Sequence, residues 1–359
     1  MAPLSPIYPD ETWQQYATPE DAGFSSEKLA KAEAYYHTID SSGTLIVHNG
    51  VIVAGWGEIG RRFSCHSIRK SLMSALIAIY AEEGVIDPNA TLDKLGINDD
   101  PPLNDLEKQA CLIHLLKSQS GVYHPAAYED ARQKNERPER NSHAPGTHYW
   151  YNNWDFNTLC TIFEQETGLK FFEAFKDRIA DPLQMEDFRL IDGAYHMEPD
   201  RSRHPAYLFR MSARDLARVG LLYQRKGKWK DRQIVPADWV EDSIKPYSGG
   251  RRWEFGLCWN VYGPDSAGGW LHDLGAFVSS GTGHNMIVVF PKANVIIINR
   301  ANTYQHQETA AEDVYHMWEM VLDAQEGSPV LRPELHPYMA PPPNYKPVDL
   351  DTRILDNYV

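Results

Sequence analysis

The segment RRFSCHSIRKSLMSALIAIYAEEG (Arg61–Gly84) changes abruptly from a polar loop to a long apolar run. Ile68 and Leu72 fall on one helical face with further apolar residues, and small side chains occupy the opposite face. A helix that is apolar nearly all round is buried, so the segment is predicted to run through the protein interior. Ser67 and Lys70 lie at its first turn, on the same side and within hydrogen-bond reach of each other.

The pair of Ser67 and Lys70 permits two interpretations. A serine hydroxyl becomes a nucleophile when a neighbouring base takes its proton, and a lysine is such a base when burial or a nearby cation keeps it neutral. Alternatively, Ser67 caps the helix and Lys70 extends along it towards solvent. A four-residue S-x-x-K pattern does not decide between them. A second match, Ser25 to Lys28, opens an amphipathic helix and is explained by capping alone.

A second segment, HAPGTHYWYNNWDFNTLCTIFEQETG (His143–Gly168), carries polar groups suited to the same chemistry. Tyr151 has a phenol that can relay a proton when a cation lies beside it. Asn153 has an amide that can hydrogen-bond both a lysine and a substrate carbonyl. Taken alone, a loop this rich in Trp and Tyr is more typical of aromatic packing.

Strand patterns occur at both ends of the chain, and helical patterns fill the middle. GTLIVHNGVIVAGWG (43–57) predicts a β-hairpin that turns at Asn49-Gly50. Near the other end, period-two apolar patterns predict three more strands, within residues 270–280, 284–291 and 294–302. Helices are predicted from about Ser25 and from about His306 to Gln325.

The absence of long crossovers between these strands favours one antiparallel sheet, flanked by helices and built from both chain ends. We assign this sheet domain to residues 1–70 and 246–327, and an inserted all-helical domain to residues 71–245. Seven prolines between Pro329 and Pro347 predict that residues 328–359 form an extended arm on the surface or on a partner.

The composition excludes several classes of function. An excess of 49 acidic over 35 basic residues, with the basic ones scattered, lacks the footprint of proteins that bind nucleic acids or anionic membranes. The N-terminal residues match no signal-peptide pattern, the 4 cysteines form no C-x-x-C pair, and the 14 histidines form no metal-binding motif. We therefore expect a cytoplasmic protein with no metal and no organic cofactor, and with no nucleic-acid or membrane partner.

Several segments, taken together and in order, resemble the serine hydrolases of the class C β-lactamase and DD-peptidase (penicillin-binding protein-like) superfamily. That superfamily includes esterases and 6-aminohexanoate-dimer hydrolases. Ser67-x-x-Lys70 matches its first motif, and Tyr151-x-Asn153 matches its second. Further segments match shorter family motifs: LLKSQSGVY (115–123, with Ser118 where histidine is common), DPLQM (181–185), RMSARDLARVG (210–220) and EFGLCW (254–259). The resemblance implies an α+β fold of the β-lactamase/transpeptidase type, with the site between the two domains.

The family's third motif, Lys-Thr-Gly or a relative of it, is absent. Its counterpart by position lies in SSGTGHN (279–285), so Thr282, Gly283 and His284 are the candidates. The resemblance implies that a strand N–H here joins the N–H of Ser67 as the oxyanion hole. Loss of the motif's lysine argues against recognition of a substrate carboxylate, and therefore against a true β-lactamase or peptidase; His284 could replace that lysine in part.

The resemblance implies a serine hydrolase that cleaves a small ester or amide through an acyl-enzyme. Ser67 is the expected nucleophile, and Lys70 and Tyr151 share the roles of base and acid. The alternatives are an amidase or D-aminopeptidase, a hydrolase of 6-aminohexanoate oligomers, and a non-catalytic sensor whose serine is acylated without turnover. The sequence leaves the oligomeric state open, including a homo-oligomer.

Three other features have less specific interpretations. The charged segment within residues 126–143 is predicted to be a solvated excursion, with a lid beside Tyr151 as the alternative. The glycines of Gly55-x-Gly57-x-x-Gly60 match a dinucleotide-binding fingerprint, but no helix follows directly, so we reject that reading. Aromatic residues of the neighbouring segments either line an apolar pocket or belong to the core: Tyr149, Trp150, Trp154, Trp253, Trp259 and Trp270.

Overall fold

A computed structural model of the chain describes residues 5–249, 253–266 and 268–340. The strands within these residues are β1 (Gln14–Tyr16), β2 (Gly43–His48), β3 (Val51–Gly57), β4 (Phe63–Ser64), β5 (Gly193–His196), β6 (Ala206–Met211), β7 (Lys228–Trp229), β8 (Arg232–Gln233), β9 (Ser248–Gly249), β10 (Glu254–Phe255), β11 (Asn260–Val261), β12 (Phe277–Gly281), β13 (Asn285–Phe290), β14 (Val295–Arg300) and β15 (Leu335–Pro337). The α-helices are α1 (Ser26–Tyr36), α2 (Ile68–Glu82), α3 (Leu112–Leu116), α4 (Ala131–Asn135), α5 (Asn153–Thr167), α6 (Phe171–Phe175), α7 (Ala213–Gln224), α8 (Ala237–Ser243), α9 (Gly269–Asp273) and α10 (Ala311–Asp323).

Within the described ranges, ten strands form one sheet in the order β15-β1-β3-β2-β14-β13-β12-β11-β10-β9. Neighbouring strands run antiparallel, except that β1 pairs with β3 in parallel at Gln15 and Ile52. At the centre, β2 from the N-terminal part pairs with β14 from the C-terminal part along its full length, from Gly43 with Arg300 to His48 with Val295. The prediction of one sheet built from both chain ends is confirmed.

The turn between β2 and β3 shows why the sequence requires a hairpin there. Asn49 and Gly50 both adopt positive φ angles, 50° and 83°, as a tight two-residue hairpin turn demands. A Cβ atom on Gly50 would lie 1.9 Å from the carbonyl oxygen of Ile7. The predicted hairpin is therefore present, and glycine is needed both for the backbone angle and for the close approach of the N-terminal segment.

The strand predicted within residues 270–280 begins later than the apolar pattern indicates. Trp270 to Asp273 belong to the short helix α9, and β12 begins only at Phe277. Gly275, with φ 67°, ends this helical turn, and its N–H bonds to the carbonyl of His272 at 2.8 Å. A glycine that adopts a left-handed conformation commonly stops a helix, and this is the local signal that separates the two elements.

The region predicted as an all-helical insertion contains α2 to α8 and also short strands. In the described part of the chain, β5 and β6 join β4 in a three-stranded sheet, and β7 pairs with β8. Helix α7, although it falls within residues 71–245, packs on β2, β13 and β14 of the large sheet. The backbone of the insertion thus finds partners that short-range patterns do not reveal.

Alternate residues of the central strands pack on opposite faces of the sheet, as expected for extended chains. Leu45 and Ile287 join a core beneath α2, α5 and α7. Ile46 and Val288 join a second core beneath α1 and α10. Both faces are thus covered, and the first core positions the start of α2 against β12.

Part of the proline-rich arm is an edge strand. Residues of β15 pair antiparallel with β1, and the N–H of Tyr338 bonds to the carbonyl of Trp13 at 2.8 Å. Residues 341–359 of the predicted arm lie outside the described residues.

Candidate active site

Ser67 occupies the N-terminal end of α2, just after β4. Every residue of α2 from Ile68 to Tyr80 is buried, so the helix is an interior one as predicted. One turn after Ser67, the hydroxyl of Ser71 donates to the carbonyl of Cys258 at 2.6 Å and lies 2.7 Å from the hydroxyl of Ser279 on β12. These contacts fix the first turn of α2, and therefore Ser67, against the sheet.

Lys70 brings the predicted site residues together. Its Nζ atom lies 3.0 Å from Oγ of Ser67 and 2.9 Å from Oδ1 of Asn153, and it also hydrogen-bonds the hydroxyl of Tyr151. The rings of Tyr151 and Phe156 cover the amine, with centroids 4.1 and 4.5 Å away. Only 2% of Lys70 is exposed, and its amine is held among these groups at the cleft.

The surroundings favour uncharged forms of both proton-carrying groups. Burial, and after it the cation of Arg69, lower the pKa of Lys70 well below its usual value. Burial raises the pKa of Tyr151 to about 12, although a hydrogen bond with Ser67 acts in the opposite direction. Both shifts favour a free amine, which can accept a proton, beside a protonated phenol, which can give one.

The segment LLKSQSGVY (115–123) holds the loop that carries Tyr151. Ser118 donates its hydroxyl to the carbonyl of Trp150 at 2.9 Å and accepts the Trp150 N–H at its own carbonyl, at 3.0 Å. The hydroxyl of Ser120 bonds to the buried carboxyl of Asp155 at 2.5 Å. The segment therefore acts on Tyr151 through backbone support, and a serine serves at the position where the family commonly has histidine.

The charged segment within residues 126–143 borders the site. The prediction that it is only a solvated excursion did not anticipate this position. Asn153 donates its amide to the carbonyl of Tyr128, and its backbone N–H bonds to Oε1 of Gln133 at 2.8 Å. Asp130 and Arg132 line the cleft beside Tyr151. The amide donor of Asn153 is engaged by Tyr128 and its acceptor by Lys70, so contact with a substrate carbonyl remains a prediction.

The third-motif candidates form a turn at the end of a strand, whereas the resemblance implied a strand. Residues Thr282 to His284 connect β12 to β13, and Gly283 has a φ of 74°. The imidazole of His284 donates from Nδ1 to the carbonyl of Thr309. A Cβ atom on Gly281 would lie 3.2 Å from the backbone nitrogen of Ser67. The end of β12 thus lies directly against the predicted nucleophile.

These elements enclose a cleft of about 680 Å³ between the sheet and the insertion. Ser67, Lys70 and Tyr151 line this cleft, and so do Thr282 to His284. The remaining lining residues are Asp130, Arg132, Tyr149, Trp253, Phe255, Cys258, Asn260, Val278, Ser280 and Gly281.

Of the aromatic residues considered from the sequence, Tyr149 and Trp253 line this cleft, whereas Trp154 and Trp259 are buried in the core. Sequence reasoning missed Phe255 and Cys258 as lining residues. Their signal was the EFGLCW segment, which matched the family without an assigned role.

The residues that the structure describes contain no cluster of three or more His, Cys, Asp or Glu side chains that could hold a metal ion. None of the helices among them is both long enough and apolar enough to cross a bilayer.

Comparison with known proteins gives a family. A model of the family described as Beta-lactamase matches residues 31–321. A D-aminopeptidase from Brucella anthropi is 38% identical over 71 residues, which are 20% of this chain and 13% of that protein. A D-aminopeptidase from Brucella ovis is 25% identical over 192 residues, 45% of this chain and 36% of that protein. The chain therefore spans only a minor part of the relatives it matches.

Solved structures share the architecture over most of the chain. A protein from Bacillus anthracis, provisionally assigned as a 6-aminohexanoate-dimer hydrolase, has a TM-score of 0.60 at 19% identity and covers 90% of this chain and 87% of its own. An octameric penicillin-binding protein homologue from Pyrococcus abyssi has a TM-score of 0.57 at 18% identity and covers 83% and 74%. The fold is the predicted β-lactamase/transpeptidase-like one, and the chain belongs to the β-lactamase family of serine hydrolases.

Proposed function

We propose that the chain hydrolyses a small ester or amide through a covalent acyl-enzyme on Ser67. The observation that carries this proposal is the buried amine of Lys70, which lies 3.0 Å from the Ser67 hydroxyl and in contact with Tyr151 and Asn153. A lysine that only extended along the helix towards solvent would keep its amine in water and would not be buried among these groups. A serine beside a neutral amine is the arrangement that nucleophilic catalysis requires.

In the acylation step, the free amine of Lys70 takes the proton of Ser67 as Oγ attacks the substrate carbonyl. Tyr151 is part of the same hydrogen-bonded group and gives a proton to the leaving oxygen or nitrogen as the bond to the acyl carbon breaks, and the proton that Lys70 took from Ser67 then passes to Tyr151 through their hydrogen bond. Asn153 holds Lys70 in place through Oδ1. The backbone N–H groups of Ser67 and of the turn from Thr282 to His284 stabilise the oxyanion, since β12 lies directly against the serine nitrogen.

In the deacylation step, a water molecule loses a proton to the group of Lys70 and Tyr151 and attacks the acyl carbonyl. The bond to Oγ breaks, Oγ recovers a proton, and the carboxylic acid leaves. This second step uses the same groups in the reverse order, as microscopic reversibility requires. With water as the second reactant, the two steps balance in atoms and protons.

The cleft suits a substrate with an apolar part. Tyr149, Trp253 and Phe255 provide an aromatic wall, and Val278 lies beside them. No lysine stands in the third-motif turn, so recognition of a substrate carboxylate by a fixed cation at that place is not expected. The imidazole of His284 is a hydrogen-bonding group there, held by the Thr309 carbonyl.

A second candidate is amide hydrolysis of the D-aminopeptidase type. The local identity to two D-aminopeptidases favours it, and so does a phenol that stays protonated at neutral pH. An amine is a poor leaving group, so the nitrogen of an amide needs a proton from the phenol before its bond to the acyl carbon breaks. Comparison of p-nitrophenyl esters, a chromogenic β-lactam and D-alanyl amides tests which substrate class turns over. A stoichiometric burst without steady turnover on all three would favour the acylable sensor.

The nucleophile is tested by intact-mass spectrometry after exposure to a fluorophosphonate. We expect one adduct on the wild type and none on Ser67→Ala. The matched control is Ser25→Ala, because Ser25 and Lys28 form the chain's other S-x-x-K match and Ser25 only caps α1. An adduct that persists in Ser67→Ala would identify a different serine, and absence of any adduct on the wild type would contradict the proposal.

We further propose that the chain folds as a sheet domain and an insertion, that it works in a reducing compartment, and that it forms homo-oligomers. The free cysteines Cys65, Cys111, Cys160 and Cys258 fit the second point. The octameric homologue from Pyrococcus abyssi supports the third. Light scattering after size-exclusion chromatography measures the oligomeric state directly, and a monomer at micromolar concentration would contradict it.

A further inference from the structure

Arg69 is a buried cation beside the candidate base. Only 1% of the residue is exposed. Its guanidinium lies between the rings of Tyr128 and Tyr207, with centroids 5.5 and 5.4 Å away. One nitrogen, Nη1, donates to the carbonyl of His66 at 3.0 Å. In the described parts of the chain Nε and Nη2 have no hydrogen-bond partner, and no carboxylate pairs with the guanidinium.

This arrangement is costly for folding. Burial of a charge without an opposite charge carries a large desolvation penalty, and a guanidinium does not escape it by losing its proton. The two tyrosine faces attract the cation but carry no net negative charge that would cancel its field. The positive potential of Arg69 therefore reaches the neighbouring buried groups.

Lys70, the next residue in the chain, is the titratable group closest in sequence to this positive potential. A nearby cation disfavours a second positive charge in the same buried region. We propose that Arg69 is a positioning residue whose uncompensated buried cation acts together with the burial of Lys70 to favour its free amine, ready to accept the Ser67 proton. This inference rests on the proposed function, since it concerns the same acylation step, and it adds a residue that does not touch the substrate.

The other titratable groups around Lys70 do not supply this effect. Burial raises the pKa of the Cys258 thiol and of the Tyr151 phenol, and burial lowers the pKa of the His66 imidazole to about 3, so all three are neutral near neutral pH. Tyr207, on the far side of Arg69, is likewise held neutral because burial raises its pKa. Asp130 lies at the cleft and acts in the opposite direction, since its negative charge raises the pKa of Lys70. Among these groups, Arg69 alone opposes protonation of Lys70 by charge.

The test is the pH dependence of the rate at which a fluorophosphonate labels Ser67. In the wild type the rate should rise with pH as Lys70 loses its proton, and the midpoint reports that titration. Arg69→Gln keeps a donor for the His66 carbonyl and removes the charge. Removal of a cation makes protonated Lys70 more favourable, so the midpoint should move to higher pH, by about 1 unit. Arg69→Lys, which keeps a positive charge, should restore most of the wild-type midpoint.

The matched control is Arg178→Met. Arg178 pairs with Glu83 at the opposite end of α2, roughly 20 Å from Arg69 along a helix of this length, so its loss changes net charge equally and should leave the midpoint unchanged. Equal midpoints in the wild type and a folded Arg69→Gln would overturn the inference. Arg69→Met is the second neutral variant, and unfolding of both, seen by circular dichroism, would assign Arg69 to stability and also overturn it. A wild type that is not labelled at Ser67 would instead contradict the proposed function.

Discussion

At the scale of single residues, the site depends on one amine with three polar contacts. Lys70 can bond to Ser67, Tyr151 and Asn153 at once only because the start of α2 and the loop before α5 face each other in the core. A free amine has two hydrogens and one lone pair, so it can donate to two of these oxygens and accept the serine proton. This stoichiometry is compatible with the proposed roles of Lys70 as the base and Tyr151 as the acid.

Tyr151→Phe should separate two kinds of substrate. The phenyl ring preserves the packing over Lys70 but cannot protonate a leaving group, so kcat on an amide should fall by about 100-fold or more. On a p-nitrophenyl ester the fall should be smaller, because p-nitrophenolate leaves without a proton. The measurement is kcat on both substrates. Tyr123→Phe, which removes a buried hydroxyl that bonds to His143 instead, is the matched control, and equal losses on both substrates would contradict the acid role of Tyr151.

Part of this site is predictable from the chain because it is local. Ser67 and Lys70 are three residues apart on one helix, so their contact follows from helical geometry. Tyr151 and Asn153 lie more than eighty positions further on. No periodicity brings them to Lys70, and only the ordered family motifs indicated the contact. Phe255 and Cys258 were missed for the same reason, because a lining role depends on how distant segments pack.

At the scale of elements, the notable feature is the end of β12. This strand pairs with β13 from Phe277 to Gly281, whereas its described pairing with β11 covers only Phe277 and Val278. On the side away from β13, the last residues of β12 therefore have no paired strand among the described residues, and Ser280 and Gly281 line the cleft. Such an open edge next to the nucleophile is where a substrate's own amide or ester can bond to the main chain.

Gly281→Ala tests the close approach of β12 to Ser67. The added Cβ atom would lie 2.6 Å from the carbonyl of Cys65 and 3.2 Å from the nitrogen of Ser67, so β12 must move away from the serine. Loss of one aligned oxyanion donor should lower kcat by about 100-fold, with a smaller change in Tm. Gly327→Ala is the control, since its nearest neighbour would be an ordinary 3.6 Å contact. Unchanged kcat would mean that the end of β12 does not serve the oxyanion.

Short elements were the least predictable from the sequence. The two-residue strand β4 exists because a distant segment offers backbone partners, as when Phe63 pairs with Met211, whereas β7 and β8 pair only with each other across a short turn. The apolar pattern of Trp270 to Asp273 predicts a strand, but in the structure these residues form a short helical turn before Gly275. Strand propensity depends on the surface that a residue packs against, which a local window does not contain.

At the scale of the whole molecule, the general arrangement followed from pattern and resemblance together. Strands at both ends with helices between them predicted one sheet with an insertion, and the sheet is present. What could not be predicted is that α7, deep within the insertion's residues, packs on the sheet. An amphipathic helix indicates that it covers an apolar surface but not which surface it covers.

The C-terminal arm should stabilise the protein without contributing to catalysis. In the sheet, five strands separate β15 from β12, which is about 30 Å at the usual strand spacing. A chain that ends at Gly327 loses the pairing of β15 with β1, so Tm should fall by several degrees while fluorophosphonate labelling of Ser67 continues at the wild-type rate. Differential scanning calorimetry and labelling kinetics measure the two effects. A large loss of labelling in the folded variant would show that the arm contributes to the site.

Glu107 should make stability depend on pH in the acid range. Burial raises the pKa of its carboxyl, but the imidazole of His124, 3.3 Å away, and the hydrogen bonds from Arg140 outweigh burial and hold the pKa at about 2. The folded state therefore binds the proton less readily than the unfolded state, whose pKa is near 4.5. The stabilisation, about 3 kcal/mol, is present above pH 4.5 and is lost as the pH falls towards 2.

Glu107→Gln should accordingly lower the free energy of unfolding at pH 7 and flatten its decline below pH 4.5. Urea unfolding at a series of pH values measures both. The control is Glu27→Gln on the exposed face of α1, where the partner is the exposed Lys31, and its effect should be small. An unchanged pH slope in Glu107→Gln would show that other carboxyl groups govern acid unfolding.

The pairing of β2 with β14 has a consequence for the timing of synthesis. Ser67 and Lys70 are translated before the strand that ends against them, which begins at Phe277, and before the partner of β2, which begins at Val295; both follow more than two hundred residues later. A nascent chain therefore carries the proposed nucleophile without a cleft around it until β12 and β14 have been made. Reactivity should appear only after these strands have emerged, so shorter products stay chemically silent.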